Sequence, residues 1–316
     1  MDEKIRLGIS TCLLGEKVRY DGGHKLDHFL VDTVGQFVEF VPVCPEAECG
    51  LGIPRESMHL EGNPDAPRLV TSHTHQDITA RMQQWCLKKL DELEGKDLCG
   101  FIFKSNSPSS GMYRVKVFQE DGHTVKTGSG IFAGMFKDRF PLLPVEDEGR
   151  LHDPDIRENF FERVFAYKRW RELLASKWSL GSLIRFHTAH KLMVFAHSPD
   201  IYRHLGALLA EGSAADITEL YRDYELLFMR ALSLKATRQK QVNVLMHILG
   251  YFKTQLKSDE KKEALDLIHE YREGYVPLIV PITLLSHFVR KYEEPYLKKQ
   301  YYLHPHPIEL MLRNHV

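Results

Sequence analysis

Leu98-Cys-Gly-Phe-Ile-Phe-Lys-Ser-Asn-Ser-Pro-Ser-Ser-Gly111 decides how the first half of this chain is read. Its first six residues are an unbroken apolar run, the pattern of a strand buried on both faces. The remainder is rich in Ser, Pro and Gly, the residues of a loop. A buried strand that runs straight into such a loop is how an α/β fold builds a site at the carboxyl edge of its sheet.

Two earlier stretches repeat the order. Ile5-Arg-Leu-Gly-Ile-Ser10 reads as a strand and leads into Thr11-Cys-Leu-Leu-Gly15. Phe37-Val-Glu-Phe-Val-Pro-Val43 reads as a second strand and leads into Cys44-Pro-Glu46. Each earlier loop carries a cysteine where the third carries serines. Helical spacing recurs at Leu26, Phe29, Leu30 and Val34, and again over residues 78–93 and 128–140. Arg68-Leu-Val-Thr71 is a short strand, Val115-Lys-Val117 and Val125 form a strand pair around Asp121-Gly122, and Leu142-Leu-Pro-Val145 is a last strand. Strands separated by helices predict an α/β domain over residues 1–150, a three-layer, Rossmann-like sandwich with a mostly parallel sheet. In such a sheet the three loops lie along one edge and meet.

From residue 151 strand signals vanish. Asp153-Pro-Asp starts a long helix, and residues 151–180 read as a helical connector. Residues 181–316 read as an all-α domain, with helices over 179–195, 201–211, 216–232, 240–255, 259–273 and 282–291, Gly274 marking a stop. Arg185, His187, His190 and Lys191 lie close together on one of these helices. They suit a basic face for phosphates, or a packing role of comparable weight. The i, i+3 histidine pair lacks the Cys or Glu companions of a zinc site.

The composition is that of an ordinary globular chain. It has 316 residues, 43% hydrophobic and 27% charged, a length that fits two domains. The net charge of −1 conceals an asymmetry. Residues 1–150 carry 18 Lys+Arg against 23 Asp+Glu, whereas residues 151–316 carry 24 against 20 and 11 of the 17 histidines. The second half is therefore the better partner for a polyanion. No run is apolar enough for a membrane span, and no signal peptide is visible. The odd count of five cysteines predicts a reducing, cytoplasmic setting. Cys86 and Cys99 fall on core positions, while Cys12 and Cys44 fall in loops where soft metals or iron–sulfur clusters are held. Cys49 suits either role. Glu46 is a general base or a solvated loop carboxylate. Ser107 donates a hydrogen bond to a reacting group or shapes its turn.

Taken together, Thr11-Cys-Leu-Leu-Gly-Glu-Lys-Val-Arg-Tyr-Asp-Gly22, Val43-Cys-Pro-Glu46 with Gly50-Leu-Gly-Ile-Pro-Arg55, and Phe103-Lys-Ser-Asn-Ser-Pro-Ser-Ser-Gly111 resemble the thiouracil desulfidase family over about residues 5–146. The second half, with Phe165-Ala-Tyr-Lys-Arg169, His187 to Lys191, and Tyr302-Leu-His-Pro-His-Pro307, resembles a helical domain of unknown function often fused to it. This two-domain form resembles bacterial desulfidases that convert 4-thiouridine in tRNA to uridine.

The resemblance implies a [4Fe-4S] cluster held by three cysteines, with an open iron that takes the substrate sulfur. A carboxylate activates water, and sulfide leaves without net redox change. By position, Cys12 and Cys44 are ligands, Glu46 is the acid/base and Ser107 a catalytic hydrogen-bonding group. The third ligand falls at Ser110, in a motif that normally ends Ser-Pro-Ser-Cys-Gly. Three accounts of Ser110 stand: an engineered Cys→Ser exchange, natural loss of activity, or replacement of the ligand by Cys49. On the first two, the chain is an inactive form. The functions implied are a tRNA 4-thiouridine desulfidase, a desulfidase of free thiouracil or thionucleotides, or a non-catalytic RNA-binding or cluster-sensing protein.

Overall fold

The structure is a computed structural model that describes residues 4–119, 123–212 and 216–315, with Thr127 described by its backbone alone. The chain forms two compact units, Met1–Ile156 and Arg157–Val316. The first holds strands β1 (Ile5–Ser10), β2 (Val38–Val43), β3 (Met58–Glu61), β4 (Arg68–Thr71), β5 (Leu98–Phe103), β6 (Val115–Phe118), β7 (Thr124–Gly128) and β8 (Val145–Asp147). Its helices are α1 (Pro45–Glu48), α2 (Thr79–Glu94) and α3 (Ile131–Arg139).

The expected parallel sheet is present, in the order β2-β1-β5-β8 with every pairing parallel. All six residues of β5 are buried, as an unbroken apolar run in a central strand requires. Gly8 is needed beneath it: a Cβ there would stand 2.2 Å from the Phe101 ring. Helix α3 covers this strand with Phe132 and Phe136, whose rings pack on Phe101 and Phe103 at centroid distances of 4.8–5.9 Å. Aromatic pairs of this kind are worth about 0.5–1.5 kcal/mol each beyond area burial.

Register explains why the three loops meet. Ser10 pairs with Val43, so β1 and β2 end side by side. The next residue after β5, Lys104, donates its backbone N–H to Ser10 Oγ at 2.8 Å. Thr11, Cys44 and Lys104 therefore leave the sheet at one edge.

Two local expectations are corrected. The helical pattern at residues 26–34 closes as a wide π turn, Phe29–Thr33, followed by a 3₁₀ turn, Val34–Gln36. A second sheet, β4-β3-β6-β7, was not foreseen as a sheet. Its strands β6 and β7 do pair antiparallel as the sequence predicts, although the turn expected at Asp121-Gly122 lies outside the described residues. Strand β3 is four residues with a single buried position. It pairs in parallel with β6, more than fifty residues away, and such pairing leaves no local signal.

The second unit contains α4 (Pro154–Leu174), α5 (Leu180–His197), α6 (Pro199–Glu211), α7 (Ile217–Ser233), α8 (Arg238–Gly250), α9 (Ser258–Glu273) and α10 (Ile279–Lys291), with no strand among its described residues. Residues 151–180, read as a connector, contain α4. Its Trp170 is fully buried and packs on Phe186 of α5 and Tyr224 of α7 at 5.2 and 5.5 Å. Caps are local and legible. Ser179 accepts from the Ser182 N–H, Asp216 from Thr218 and Glu219, and Gly274 closes α9 at φ +84°. Among the described residues, no helix is long and apolar enough to cross a membrane.

Candidate functional site

A cavity of about 420 Å³ opens where the three loops converge, lined by Cys12, Cys44, Glu46, Ser107, Ser109 and Ser110 among others. Five of these six are the catalytic and ligand positions expected from the sequence. Each is delivered by local structure.

Cys12 sits in a 3₁₀ turn, Thr11–Leu14, that begins where β1 ends. It is 8% exposed, and its carbonyl accepts the N–H of Lys25 at 2.8 Å. Burial pushes its thiol up to about 11, against the pull of Lys104 and with a push from Cys44. Cys44 precedes α1, and its N–H donates to Glu48 Oε1 at 2.7 Å. Its thiol is also raised, chiefly by burial. A thiol raised in this way stays protonated at neutral pH unless a metal displaces the proton.

Glu46 lies in the first turn of α1 and is gripped on both oxygens. Arg55 reaches Oε2 with Nε at 3.1 Å and with Nη2 as well. The same guanidinium donates to the Val18 carbonyl at 3.0 and 3.1 Å. Oε1 accepts from Ser109 Oγ at 2.9 Å, and Ser107 Oγ stands 3.4 Å from it. Ser107 also shapes its own loop, because its Oγ accepts the N–H groups of Ser109 and Ser110 at 3.3 and 3.1 Å. The two hydroxyls stand 3.0 Å apart. A chain of single donors thus runs from Ser107 through Ser109 to Glu46.

The loop is anchored from beneath by α3. Ile131 and Phe132 donate their backbone N–H groups to the carbonyls of Pro108 and Ser109 at 3.2 and 2.9 Å. The loop so satisfies donors that a helix start leaves open. Gly130 makes the approach feasible, since a Cβ there would fall 2.4 Å from the Ser109 carbonyl carbon. At the loop's start, Glu148 accepts from the Ser105 Oγ at 2.9 Å and pairs with Lys104.

Ser109, Arg55 and Glu148 were missed as site residues. Ser109 is 1% exposed, and its hydroxyl makes the shorter of the two serine contacts to Glu46. The runs Gly50 to Arg55 and Ser107 to Gly111 contain two of them. Only the tertiary contact with Glu46 separates them from turn formers.

Ser110 is buried at 3% exposure, with its Oγ 3.5 Å from that of Ser109. At the three expected ligand positions the cavity therefore offers two thiols and one hydroxyl. Among the described residues, no group of three His, Cys, Asp or Glu is placed to hold a metal. Thiols suit iron, whereas a neutral hydroxyl is a poor partner for it. The donor set present does not complete a three-thiolate cluster site. Cys49 does not line the cavity; its thiol points to the Glu46 carbonyl at 3.4 Å. Cys86 and Cys99 are buried in the core, as expected, and burial pushes Cys86 up to about 12.

In the second unit the expected basic face needs correction. Arg185 is exposed, and Lys191 is half-buried over the Tyr296 ring at 4.7 Å. His187 and His190 are withdrawn into the bundle. His190, 1% exposed, donates Nδ1–H to the Phe186 carbonyl at 2.8 Å and accepts from Arg169 Nε at 3.0 Å. Arg169 also donates to the Pro305 carbonyl at 3.0 Å and lies over Tyr301. Burial drives His187 down to about 4 and His190 well below its ordinary value. Both rings are neutral at pH 7 and contribute packing and hydrogen bonds rather than surface charge.

Comparison with known proteins separates the halves in the same way. Residues 7–148 match the family model described as 2-thiouracil desulfurase, and residues 191–307 match one described as a protein of unknown function, DUF1722. Among solved structures, the chain is similar to a [4Fe-4S]-dependent thiouracil desulfidase, TudS, at 25% identity over 48% of this chain and 95% of that one. The TM-score is 0.39, too low for the superposition to carry an argument. Among curated proteins, the uncharacterized protein YbgA of Escherichia coli (strain K12) is 31% identical over 153 residues, 48% of this chain and 90% of YbgA. On that coverage the chain belongs to the family of YbgA, and its residues 7–148 match the 2-thiouracil desulfurase model.

Proposed function

We propose that the first unit is a desulfidase for thiolated pyrimidines and that its substrate is 4-thiouridine in tRNA, converted to uridine with release of sulfide. One observation carries this reading. Cys12, Cys44, Glu46, Ser107 and Ser110, from three separate loops, line one cavity. A [4Fe-4S] cluster is the cofactor the reading calls for, with Cys12, Cys44 and position 110 as its ligands. With Ser110 the set is incomplete, and on this reading the chain as it stands is an inactive form.

The chain's own residues supply the proton chemistry. Glu46, oriented by Arg55, takes a proton from water that attacks the carbon bearing sulfur. Ser109 and Ser107 relay a proton between Glu46 and the leaving group. Arg19 and Lys25 also line the cavity and favour anions there. The second unit grips the tRNA through exposed cations such as Arg185, which offsets the cost of unstacking the modified base. The five free thiols fit a cytoplasmic protein.

The test is Ser110→Cys in the full chain, reconstituted anaerobically. Iron per chain rises, and the near-ultraviolet absorbance of 4-thiouridine in tRNA falls on incubation. Unchanged absorbance in a variant carrying a full cluster would refute the assignment.

A second reading is equally consistent with the comparisons: free thiouracil or a thionucleotide as substrate. It is favoured by the description of the matching family and by a cavity on the scale of a small molecule. The same variant separates the two by its turnover of 4-thiouracil against thiolated tRNA. Salt-dependent tRNA binding with no turnover of either substrate would favour the non-catalytic RNA-binding or cluster-sensing role that Ser110 raises.

A further inference from the structure

Tyr302-Leu-His-Pro-His-Pro307 plays no part in the site described so far. In the second unit the segment that follows it is laced to α10, where the Ile279 N–H donates to the Arg313 carbonyl at 3.2 Å. A cavity of about 150 Å³ lies between the two. One wall is a single helix face: Ile279, Ile282, Thr283, Ser286 and Arg290 follow one another along α10 at the spacing of one turn. Leu303 and Leu312 form the other wall, and Met311, 63% exposed, stands at the rim. An apolar cavity of ~150 Å³ takes up a molecule the size of benzene.

Two polar atoms of the lining residues, Ser286 Oγ and His306 Nε2, are shut off from water and have no hydrogen-bond partner among the described residues. Ser286 is 5% exposed. His306 Nδ1–H donates to the Pro307 carbonyl at 3.1 Å, which leaves a lone pair on Nε2. A buried polar group without a partner keeps the full cost of its desolvation, and a ligand that completes the bond relieves that cost.

Charge around the cavity is one-sided. Among the described residues, no Asp or Glu lines it. Arg313 is already committed to Glu158, Glu162 and the Tyr302 carbonyl. Arg290 is exposed and forms no ion pair among the described residues. Burial, helped by the two arginines, holds His304 below its ordinary value, and burial with Arg313 takes His306 down to about 4. Both rings are uncharged at pH 7, so among the described lining residues Arg290 is the uncommitted cation.

We infer that this cavity binds a small hydroxy-carboxylic acid with an apolar body. The carboxylate meets Arg290 and the Ser286 hydroxyl, which lie one helical turn apart. The hydroxyl of the acid donates to His306 Nε2, and the body lies against Ile282, Leu303 and Leu312. An inorganic anion leaves the apolar walls uncovered, and a neutral apolar molecule leaves Arg290 unanswered. The site belongs to the second unit and rests on nothing in the desulfidase reading.

Calorimetry on the full chain measures dissociation constants for benzoate, the monohydroxybenzoates, benzyl alcohol and inorganic phosphate. At least one hydroxybenzoate binds more tightly than benzoate and about ten-fold more tightly than benzyl alcohol, the scale of a charge-assisted hydrogen bond. Arg290→Ala removes the advantage over benzyl alcohol. Ser286→Ala weakens the best acid about three-fold and raises the thermal midpoint of the ligand-free chain, because an unmade hydrogen bond is gone. A midpoint that does not rise means that the hydroxyl is already satisfied within the protein, and the inference fails. It fails equally if benzyl alcohol or phosphate binds as tightly as the best acid, if no hydroxybenzoate outbinds benzoate, or if Arg290→Ala binds the best acid as tightly as the unaltered chain.

Discussion

Ser109 Oγ donates to Glu46 Oε1 at 2.9 Å, while Ser107 Oγ stands 3.4 Å from the same oxygen. The expected catalytic serine is thus not the one in shorter contact with the carboxylate. Ser107 uses its oxygen to accept two loop N–H groups and hands its proton toward Ser109. The two serines divide the labour: one builds the turn, the other completes the carboxylate.

From this division, Ser109→Ala in the Ser110→Cys background lowers turnover by about 10²-fold, the lower range for losing a positioned proton-transfer group. Its iron content stays the same. Ser107→Ala lowers turnover and, because the loop loses its internal acceptor, also raises protease sensitivity near residue 107. Steady-state turnover with limited proteolysis distinguishes them. Equal proteolysis of both variants would contradict the division.

On the cluster reading, residue 110 sets the number of thiol ligands in the cavity. Ser110→Cys raises iron per chain after anaerobic reconstitution, and Cys49→Ser has no effect on it, because Cys49 lies outside the cavity lining. Colorimetric iron assay decides. Loss of iron in Cys49→Ser would make Cys49 the third ligand and remove residue 110 from the ligand set.

Arg55 and Glu46 form a poorly solvated pair, their side chains 8% and 15% exposed. Removing one member of such a pair strands the other, at a cost of roughly 3–5 kcal/mol when burial is complete and less at this partial exposure. Arg55→Ala therefore lowers the denaturant midpoint of the first unit, and Glu46→Gln lowers it less, since the amide oxygen still accepts from Arg55. Chemical denaturation followed by fluorescence measures both. The order reversed would mean that Arg55 is held mainly by the Val18 carbonyl.

The second unit is acid-labile. Burial depresses His187 and His306 to about 4, from an ordinary 6.5. The unfolded chain thus binds protons that the folded chain refuses, and stability falls as pH drops from about 6.5 toward 4. Glu162 adds a second, lower window. Burial would raise it, but His197 and Arg313 hold it at about 2, so its contribution is lost as pH falls below about 4.5. The limiting slope is about 1.4 kcal/mol per pH unit for each proton taken up. Thermal melts across pH 4–8 register this as a falling midpoint on the acid side, and His187→Phe flattens the upper part of the curve. A midpoint unchanged between pH 7 and 4.5 would show that these rings are not kept neutral in solution.

Much of the architecture was legible because its causes are local. An unbroken apolar β5, the two strand-to-cysteine junctions, and caps such as Asp216 and Gly274 depend on residues within a few positions of each other. The second sheet was not legible, since β3 is short, nearly patternless and paired with a distant strand. His187 and His190 carried no sign of burial either. A histidine on a helix reads the same whether it faces water or Arg169, and the packing of α4 against α5 decides which.

By itself, the sequence determined that Cys12, Cys44 and the loop of Ser107 to Ser110 each follow a strand, and that one of three expected thiols is absent. Parallel pairing with Ser10 opposite Val43 and Lys104 beside Ser10 then brought those three strand ends to one edge. Only the tertiary structure decided the rest. It set Ser109 against Glu46 and left Cys49 out of the cavity. These are contacts between residues far apart in the chain, and their partners are chosen by strand register and by the packing of α3 beneath the loop, neither of which a local pattern records.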